Sequence, residues 1–542
     1  MKKHARWIIA GVVLLALVPL AAWASPQAQM VPRSSEAWSR GKVIGQTPVK
    51  QRVALRLAPD GGVFLLWQNL EERFEMTHIG VDGEVLMNLV LQVATKEARA
   101  PQLMVGLDGR LHLLWREGKH PRTTIRYILL EADGTPVSQP ETLSAPTVPV
   151  LDAPQLVQDV DGRCHAIWAD ETGIQWAVLS ADGTLLESPT PLVPKGRFPT
   201  IQMDDHGRLH LAWRQLKRTH VWLIYYAVLD PASGIISQAE EIAQVYLRPY
   251  HRLGGPDIGL TPEMGYVFWE VRDYGYVYSL GEYASFPLES PQQSLVEPLG
   301  PRRGRDEAGM YPLEGVQTPQ VVALNETVPD PEAGEFYSQI VVATMGEQRI
   351  QEEVVTASSR ASLKPVLVKD ARPHLHMAWL ETSGFGEYAV AYASTAPEVI
   401  KNYNAWTLAD VLDAALSSVF RLSTVAVSLV GSLIMWAGIP FIGLLLYHLV
   451  TSEETLDSMR SRVAIIAALG TEVALTFALP PNIGVNVTWS ALRWVVPAVS
   501  AVVTAAAMAR VVRRREETHL FGAFFLFTFA NSVLQIVLFL LF

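Results

Sequence analysis

A recurring phrase constrains this chain more than any other feature. Pro101-Gln102-Leu103-Met104 leads to Asp108-Gly109-Arg110-Leu111-His112-Leu113-Leu114-Trp115. Pro154-Gln155-Leu156-Val157 leads to Asp161-Gly162-Arg163-Cys164-His165-Ala166-Ile167-Trp168. Pro199-Thr200-Ile201 leads to His206-Gly207-Arg208-Leu209-His210-Leu211-Ala212-Trp213, and Pro365-Val366-Leu367 to His374-Leu375-His376-Met377-Ala378-Trp379. Weaker copies end at Trp67 and Trp269, and a degenerate copy without tryptophan starts at Pro319. From Trp67 to Trp269 the tryptophans recur every 45–56 residues, and the 110 residues from Trp269 to Trp379 make two more periods. Such a period marks a stack of supersecondary units, none of which can bury its apolar faces alone.

Each unit reads as four short strands. Asp-Gly pairs at 108–109 and 161–162 suit a hairpin between the strand after the proline and the strand ending in tryptophan. A third run follows (Thr124–Leu130, Ile174–Leu179, Leu223–Leu229), and turns at Asp82-Gly83, Asp133-Gly134, Asp182-Gly183 and Ser233-Gly234 lead to a fourth. Four antiparallel strands per unit describe a propeller blade, so the expected fold over 36–400 is an all-β propeller of about seven blades, six being the alternative. The repeated tryptophans (67, 115, 168, 213, 269, 379) are expected to pack between blades. The last unit lacks a fourth strand of its own. Residues near Lys42–Gly45 are expected to supply it, which would remove an exposed sheet edge.

These repeats resemble those of sialidase-like (BNR-type) and related bacterial propellers over roughly residues 50–395. The tryptophan stands further from Asp108 than in that family's Asp box, and a histidine intervenes. Tyr246-Leu247-Arg248-Pro249 echoes its Arg-Ile-Pro motif, but at mid-domain rather than ahead of the first repeat. The resemblance implies a propeller of six to eight blades. The family's catalytic set of arginines, nucleophilic tyrosine with glutamate, and acid has no counterpart that the sequence alone picks out, and a fold does not carry an activity with it.

The two ends of the chain read differently. Lys2, Lys3 and Arg6 precede the apolar run Trp7–Ala22, and Ala22-Trp23-Ala24 offers a cleavage site, so 1–24 is expected to be a signal peptide or, failing cleavage, an anchor. Near the other end, 422–449, 463–480, 488–509 and 520–542 each provide about 20 apolar residues, enough for four transmembrane helices in an all-α bundle. Residues 406–421, with a Thr407-x-x-Asp410 capping pattern, read as an amphipathic or juxtamembrane helix. Arg460 and Arg462 follow the first span, Arg510 and Arg513–Arg515 the third, and the opposite turn Pro480–Val487 has no lysine or arginine. Positive residues face the cytoplasm. The expectation is a multi-pass protein of a bacterial plasma membrane with its propeller outside, and short inner loops that leave any output within the cell to a partner.

The net charge of -10 argues against nucleic-acid binding. The single cysteine, Cys164, precludes an intrachain disulfide and reads as a small buried hydrophobe. No nucleotide loop, zinc motif, hydrolase elbow or calcium loop is present, and no cofactor is expected. His112, His165, His210 and His376 each stand three residues before a repeat tryptophan; the expected role is structural, since equivalent positions in different blades lie too far apart to share a metal. Nine of the sixteen tyrosines fall between Tyr225 and Tyr283. Tyr274, Tyr276 and Tyr278 alternate, and with Tyr246, Arg248, Tyr250, His251 and Arg252 they form the candidate binding surface for a carbohydrate or peptide. Ser285–Pro319, with Arg302, Arg303 and Arg305, reads as a flexible insertion. Within the bundle, Glu472, Arg493, Asn531 and Gln535 are polar; the expected role is fastening, the alternative a proton or ion path, and depth permits a Glu472–Arg493 pair.

The functional expectation is a membrane-anchored ligand-binding or protein-scaffolding propeller. The alternatives are a sialidase-like glycoside hydrolase and an accessory subunit of a membrane transport or assembly complex.

Overall fold

The computed structural model describes residues 30–93, 97–273, 278–299, 309–329, 336–346, 350–384, 386–405, 434–478, 492–514 and 518–541. The signal-peptide segment, the 406–421 helix, Tyr274, Tyr276 and the Arg302–Arg305 stretch lie outside them. The chain divides into a β unit ending at Ala405 and a helical unit from Trp406.

The β unit is a propeller of seven antiparallel blades. In six of them the strands follow one another in sequence across the sheet, and in the seventh two amino-terminal strands lie outside the last three. The first strands are Ala54–Leu57, Arg99–Val105, Gln155–Gln158, Arg197–Met203, His251–Leu260, Met310–Pro312 and Ser362–Lys369. Each touches the first strand of the next blade, and the seventh touches the first, so they form a closed ring around the axis. The second strands carry the repeat tryptophans. Trp67, Trp115, Trp168, Trp213, Trp269 and Trp379 are all at most 2% exposed, among the largest fully buried side chains. They fill apolar layers that each mix residues of neighbouring blades; Trp115, for example, packs with Phe74 and Met76 of the preceding blade. Burying an aromatic of this size is worth several kcal/mol at about 25 cal/mol per Å².

The ring closes with the amino-terminal strand. Gly41–Thr47 pairs with Glu387–Ser394, placing Lys42 opposite Tyr392 and Gly45 opposite Val390. Met30–Val31 adds a fifth strand to this sheet. The two glycines here are required by close approach. A Cβ on Gly41 would lie 2.4 Å from the Trp379 ring, and one on Gly45 2.3 Å from the Trp67 ring. A second clasp was not foreseen from sequence. Helix Pro397–Asn404 leaves the last blade, Tyr403 donates to the Gly83 carbonyl (2.5 Å) and Arg40 Nε donates to the Tyr403 carbonyl (2.8 Å). Both ends of the propeller are thus tied across the junction of blades one and seven.

Two sequence expectations need correction. Ser285–Pro319 is not simply an insertion, because Leu295–Pro298 is the outer strand of blade five and Met310–Pro312 the inner strand of blade six. Pro319 therefore precedes the second strand of its blade, whereas the other repeat prolines sit in or just before the first.

The histidines tie strands together within blades. Their Nδ1 atoms meet Tyr127 Oη (His112, 2.8 Å), Tyr226 Oη (His210, 2.6 Å) and Tyr392 Oη (His376, 2.7 Å), and Trp176 Nε1 donates to His165 (3.3 Å). On the other side of the ring, Asp159 and Asp204 meet the Nε2 of His165 and His210 at 3.0 Å. Burial lowers the pKa of all four imidazoles, that of His112 to about 4. Cys164 is fully buried beside His112, and burial pushes its thiol pKa up.

In the helical unit, helices are described at Ile434–Thr451, Met459–Ala478, Leu492–Arg514 and Leu520–Leu541. Two of these contain segments, Ile434–Thr451 and Trp494–Val512, long and apolar enough to cross a membrane.

Candidate functional site

The repeat proline does more than start a strand. In four blades the first strand slips register around it: between Arg99 and Gln102, Arg197 and Thr200, Gly254 and Asp257, and Leu363 and Val366. The residue before the proline is left-handed in each, at φ +51° (Ala100), +52° (Phe198), +78° (Gly255) and +53° (Lys364). Three of these are not glycine. Such a conformation costs about 1–3 kcal/mol and persists only where the surroundings hold it. Here a side chain from a neighbouring blade accepts the strained residue's N–H. Gln51 Oε1 takes that of Ala100 (2.8 Å), Asp152 Oδ2 that of Phe198 (2.8 Å), and Asn325 Oδ1 that of Lys364 (3.2 Å).

All four bulges open onto one cavity of about 380 Å³. Every blade contributes to its wall, from Arg52 in the approach to blade one to Lys364 in blade seven. Bulges re-aim side chains, and their clustering around a cavity is the usual signature of a binding site.

The wall carries Lys50, Arg52, Arg272 and Lys364 alongside Asp152, Asp257 and Glu270. Arg52 lies 3.3 Å from Asp257 and stacks 3.6 Å over the Tyr311 ring. Burial raises the Tyr311 pKa to about 12, so its hydroxyl stays protonated at neutral pH. Asp152 accepts both arms of Arg197 at 2.8 Å, and Arg214 stacks 3.6 Å over Phe198. Burial lowers the Lys364 ammonium to about 8. These pairs hold the rim in place. They also leave it with positive and negative groups side by side.

Glu270 is the exception. It is 6% exposed; one carboxylate oxygen pairs with Arg272 and the other, Oε2, has no partner. Its place depends on Gly254, where a Cβ would lie 2.5 Å from Glu270 Cγ and Oε1. A carboxyl oxygen buried without a hydrogen-bond partner costs about 1–3 kcal/mol. It is tolerated most readily where a ligand completes it. Among the described residues no group of three or more His, Cys, Asp or Glu side chains could hold a metal ion.

The surface singled out from sequence lies elsewhere. Tyr246, at the end of the outer strand of blade four, and Tyr250, on the connection to blade five, are exposed, and His251 pairs with Asp273 at 3.1 Å. Arg252 is exposed and stands two residues before Gly254 of the cavity wall, so this segment leads to the pocket without lining it. Tyr278 opens the third strand of blade five. The sequence signal for the pocket was faint: charged residues at or near the start of blade units (Arg52, Asp152, Asp257, Lys364).

No protein-family model matches the chain, and no curated sequence does. Solved structures are similar in fold at low identity. An ulvan lyase, a polysaccharide lyase bound to a glucuronate–sulfated rhamnose saccharide, aligns at 9% identity and TM-score 0.45, covering 64% of this chain and 95% of its own. A protein of unknown function from Dyadobacter fermentans aligns at 12% identity and TM-score 0.39, covering 56% of this chain and 96% of its own. The Trypanosoma rangeli sialidase aligns at 8% identity and TM-score 0.37, covering 60% and 57%.

Proposed function

We propose that this protein is a membrane-anchored propeller that binds a small polar ligand, of one or two sugar rings or a peptide end, in the pocket on its blade axis. The observation that carries this reading is Glu270, a buried carboxylate with one unpartnered oxygen, on the wall of a cavity of about 380 Å³. That volume suits a small molecule. Glu270 suits a ligand hydroxyl or ammonium, and Arg52 and Lys364 suit ligand oxygens. Phe198, the exposed aromatic of the lining, supplies a flat face for a ring. The left-handed bulges are held before any ligand arrives, which lowers the ordering cost of binding. The apolar helices and the arginines at 460, 462, 510 and 513–515 support an anchor with the propeller outside the cytoplasm.

The test is a thermal-shift screen of the detergent-purified full-length protein with neutral and acidic mono- and disaccharides, amino acids and dipeptides. Binding raises the melting temperature by mass action. A ligand whose shift is lost in Glu270→Gln supports the reading; a panel without shifts, or shifts that survive this substitution, contradicts it. A second reading, glycoside cleavage, draws on Asp257 and Glu270 facing the same cavity. Saccharide turnover abolished by Glu270→Gln would favour it over simple binding.

A further inference from the structure

A buried polar seam runs through the helical unit. On helix Leu520–Leu541, Thr528, Asn531, Ser532 and Gln535 stand at i, i+3, i+4 and i+7 and share one face. Glu472 and Thr476 lie a turn apart on Met459–Ala478, and Ser500 and Thr504 a turn apart on Leu492–Arg514. All eight are at most 5% exposed. Thr528 Oγ1 donates to Glu472 Oε2 at 2.6 Å, and Ser500 Oγ donates to Asn531 Oδ1 at 2.7 Å. Five further atoms have no partner: Glu472 Oε1, Asn531 Nδ2, Ser532 Oγ, and both Oε1 and Nε2 of Gln535.

This departs from the fastening role expected from sequence. A cluster that only fastens helices is most stable when its members satisfy each other, and each buried orphan costs about 1–3 kcal/mol. A buried carboxylate touched by Thr528 and Asn531, with Ser532 and Gln535 continuing the same helix face and five valences left unmet, has the make-up of a binding site. A charged group at this depth in a bilayer is costly unless neutralised. The other charged or titratable groups of these helices are Tyr447, His448, Arg460, Arg462, Arg493, Arg510, Arg513 and Arg514. None whose side chain is described pairs with Glu472, and Arg462 is ten residues away along its helix.

We propose that Glu472 is the centre of an intramembrane site that takes up and releases a monovalent cation, a proton or a sodium ion. One carboxylate matches one positive charge. Carboxylate, hydroxyl and carboxamide oxygens are hard ligands of the kind such cations prefer. The amide N–H group of Asn531 supplies a donor to the carboxylate when the cation has left, so the seam serves both states. The site rests on the helices crossing a bilayer, and its failure is distinguishable from failure of that reading.

The experiment labels the full-length protein in its membranes with dicyclohexylcarbodiimide, which modifies protonated carboxyl groups in apolar surroundings, and reads the Glu472 peptide by mass spectrometry. Labelling should rise as the pH falls, by about tenfold per unit above the midpoint, and should vanish in Glu472→Gln. Excess sodium over potassium separates the two sources: suppression identifies sodium, and indifference identifies the proton. Asn531→Leu, which keeps the carboxylate, should move the midpoint. Labelling that is absent or flat across pH overturns the site. Release of the protein from membranes by alkaline carbonate would instead overturn the membrane reading itself.

Discussion

His112 makes the propeller acid-labile by an amount that can be worked out in advance. Burial lowers its pKa from 6.5 to about 4. The folded state therefore holds it neutral in a range where the unfolded chain protonates it. Stability from this group is fully present above pH 6.5 and is lost as the pH falls toward 4. The loss reaches about 2.5 kcal/mol by pH 4.5, at 1.36 kcal/mol per pKa unit. His165, His210 and His376 are shifted in the same direction by burial and steepen the decline. The assay is urea unfolding of the full-length protein, followed by tryptophan fluorescence at several pH values from 7.5 to 4.5. The control is His112→Phe with Tyr127→Phe, since blade one already carries Phe64 at this position and the paired change leaves no orphaned hydroxyl. The double variant should lose about 2.5 kcal/mol less than the parent over that range. Equal pH slopes in parent and variant would refute the argument.

Other consequences follow from the closure and the pocket. Deleting residues 36–48 removes the strand that completes blade seven, and should unfold the whole β unit in a single step at a lower urea concentration; unchanged urea resistance would count against ring closure. Gly254→Ala should destabilise the domain by about 1–3 kcal/mol and weaken ligand binding, because the new Cβ would meet Glu270 at 2.5 Å; retention of full affinity would contradict the role given to that carboxylate. Lys364 is held near a pKa of about 8 by burial, so affinity for an anionic ligand should fall as the pH rises through about 8. Lys364→Met should flatten that profile, and an unaltered profile would exclude the ammonium as a contact.

Repetition made the ring legible. Tryptophan, proline and Asp-Gly recur at fixed offsets, and a recurring unit folds the same way each time. The pairing of Lys42–Gly45 with the last blade was legible too, because that blade has only three strands of its own and an unpaired edge is unfavourable. The pocket was not. It draws on residues of all seven blades, from Lys50 to Lys364, and no local motif joins them. Tyr246–Arg252 drew notice because its aromatic and basic residues are dense along the chain, yet convergence in space and not density in sequence makes a site. The repeat proline hid a further layer. Its recurrence signalled a strand start, while the left-handed residue ahead of it depends on hydrogen bonds from Gln51, Asp152 and Asn325 that sequence spacing does not reveal.

The most direct test of the axial site is hydrogen–deuterium exchange of the full-length protein with and without a ligand found by thermal shift. Protection should increase together on peptides in or just before the inner strands of several blades, around 50–52, 152–155, 254–257, 309–311 and 364. Protection confined to 246–252 on the rim, or spread over outer strands alone, would contradict a pocket built by the convergence of all seven blades.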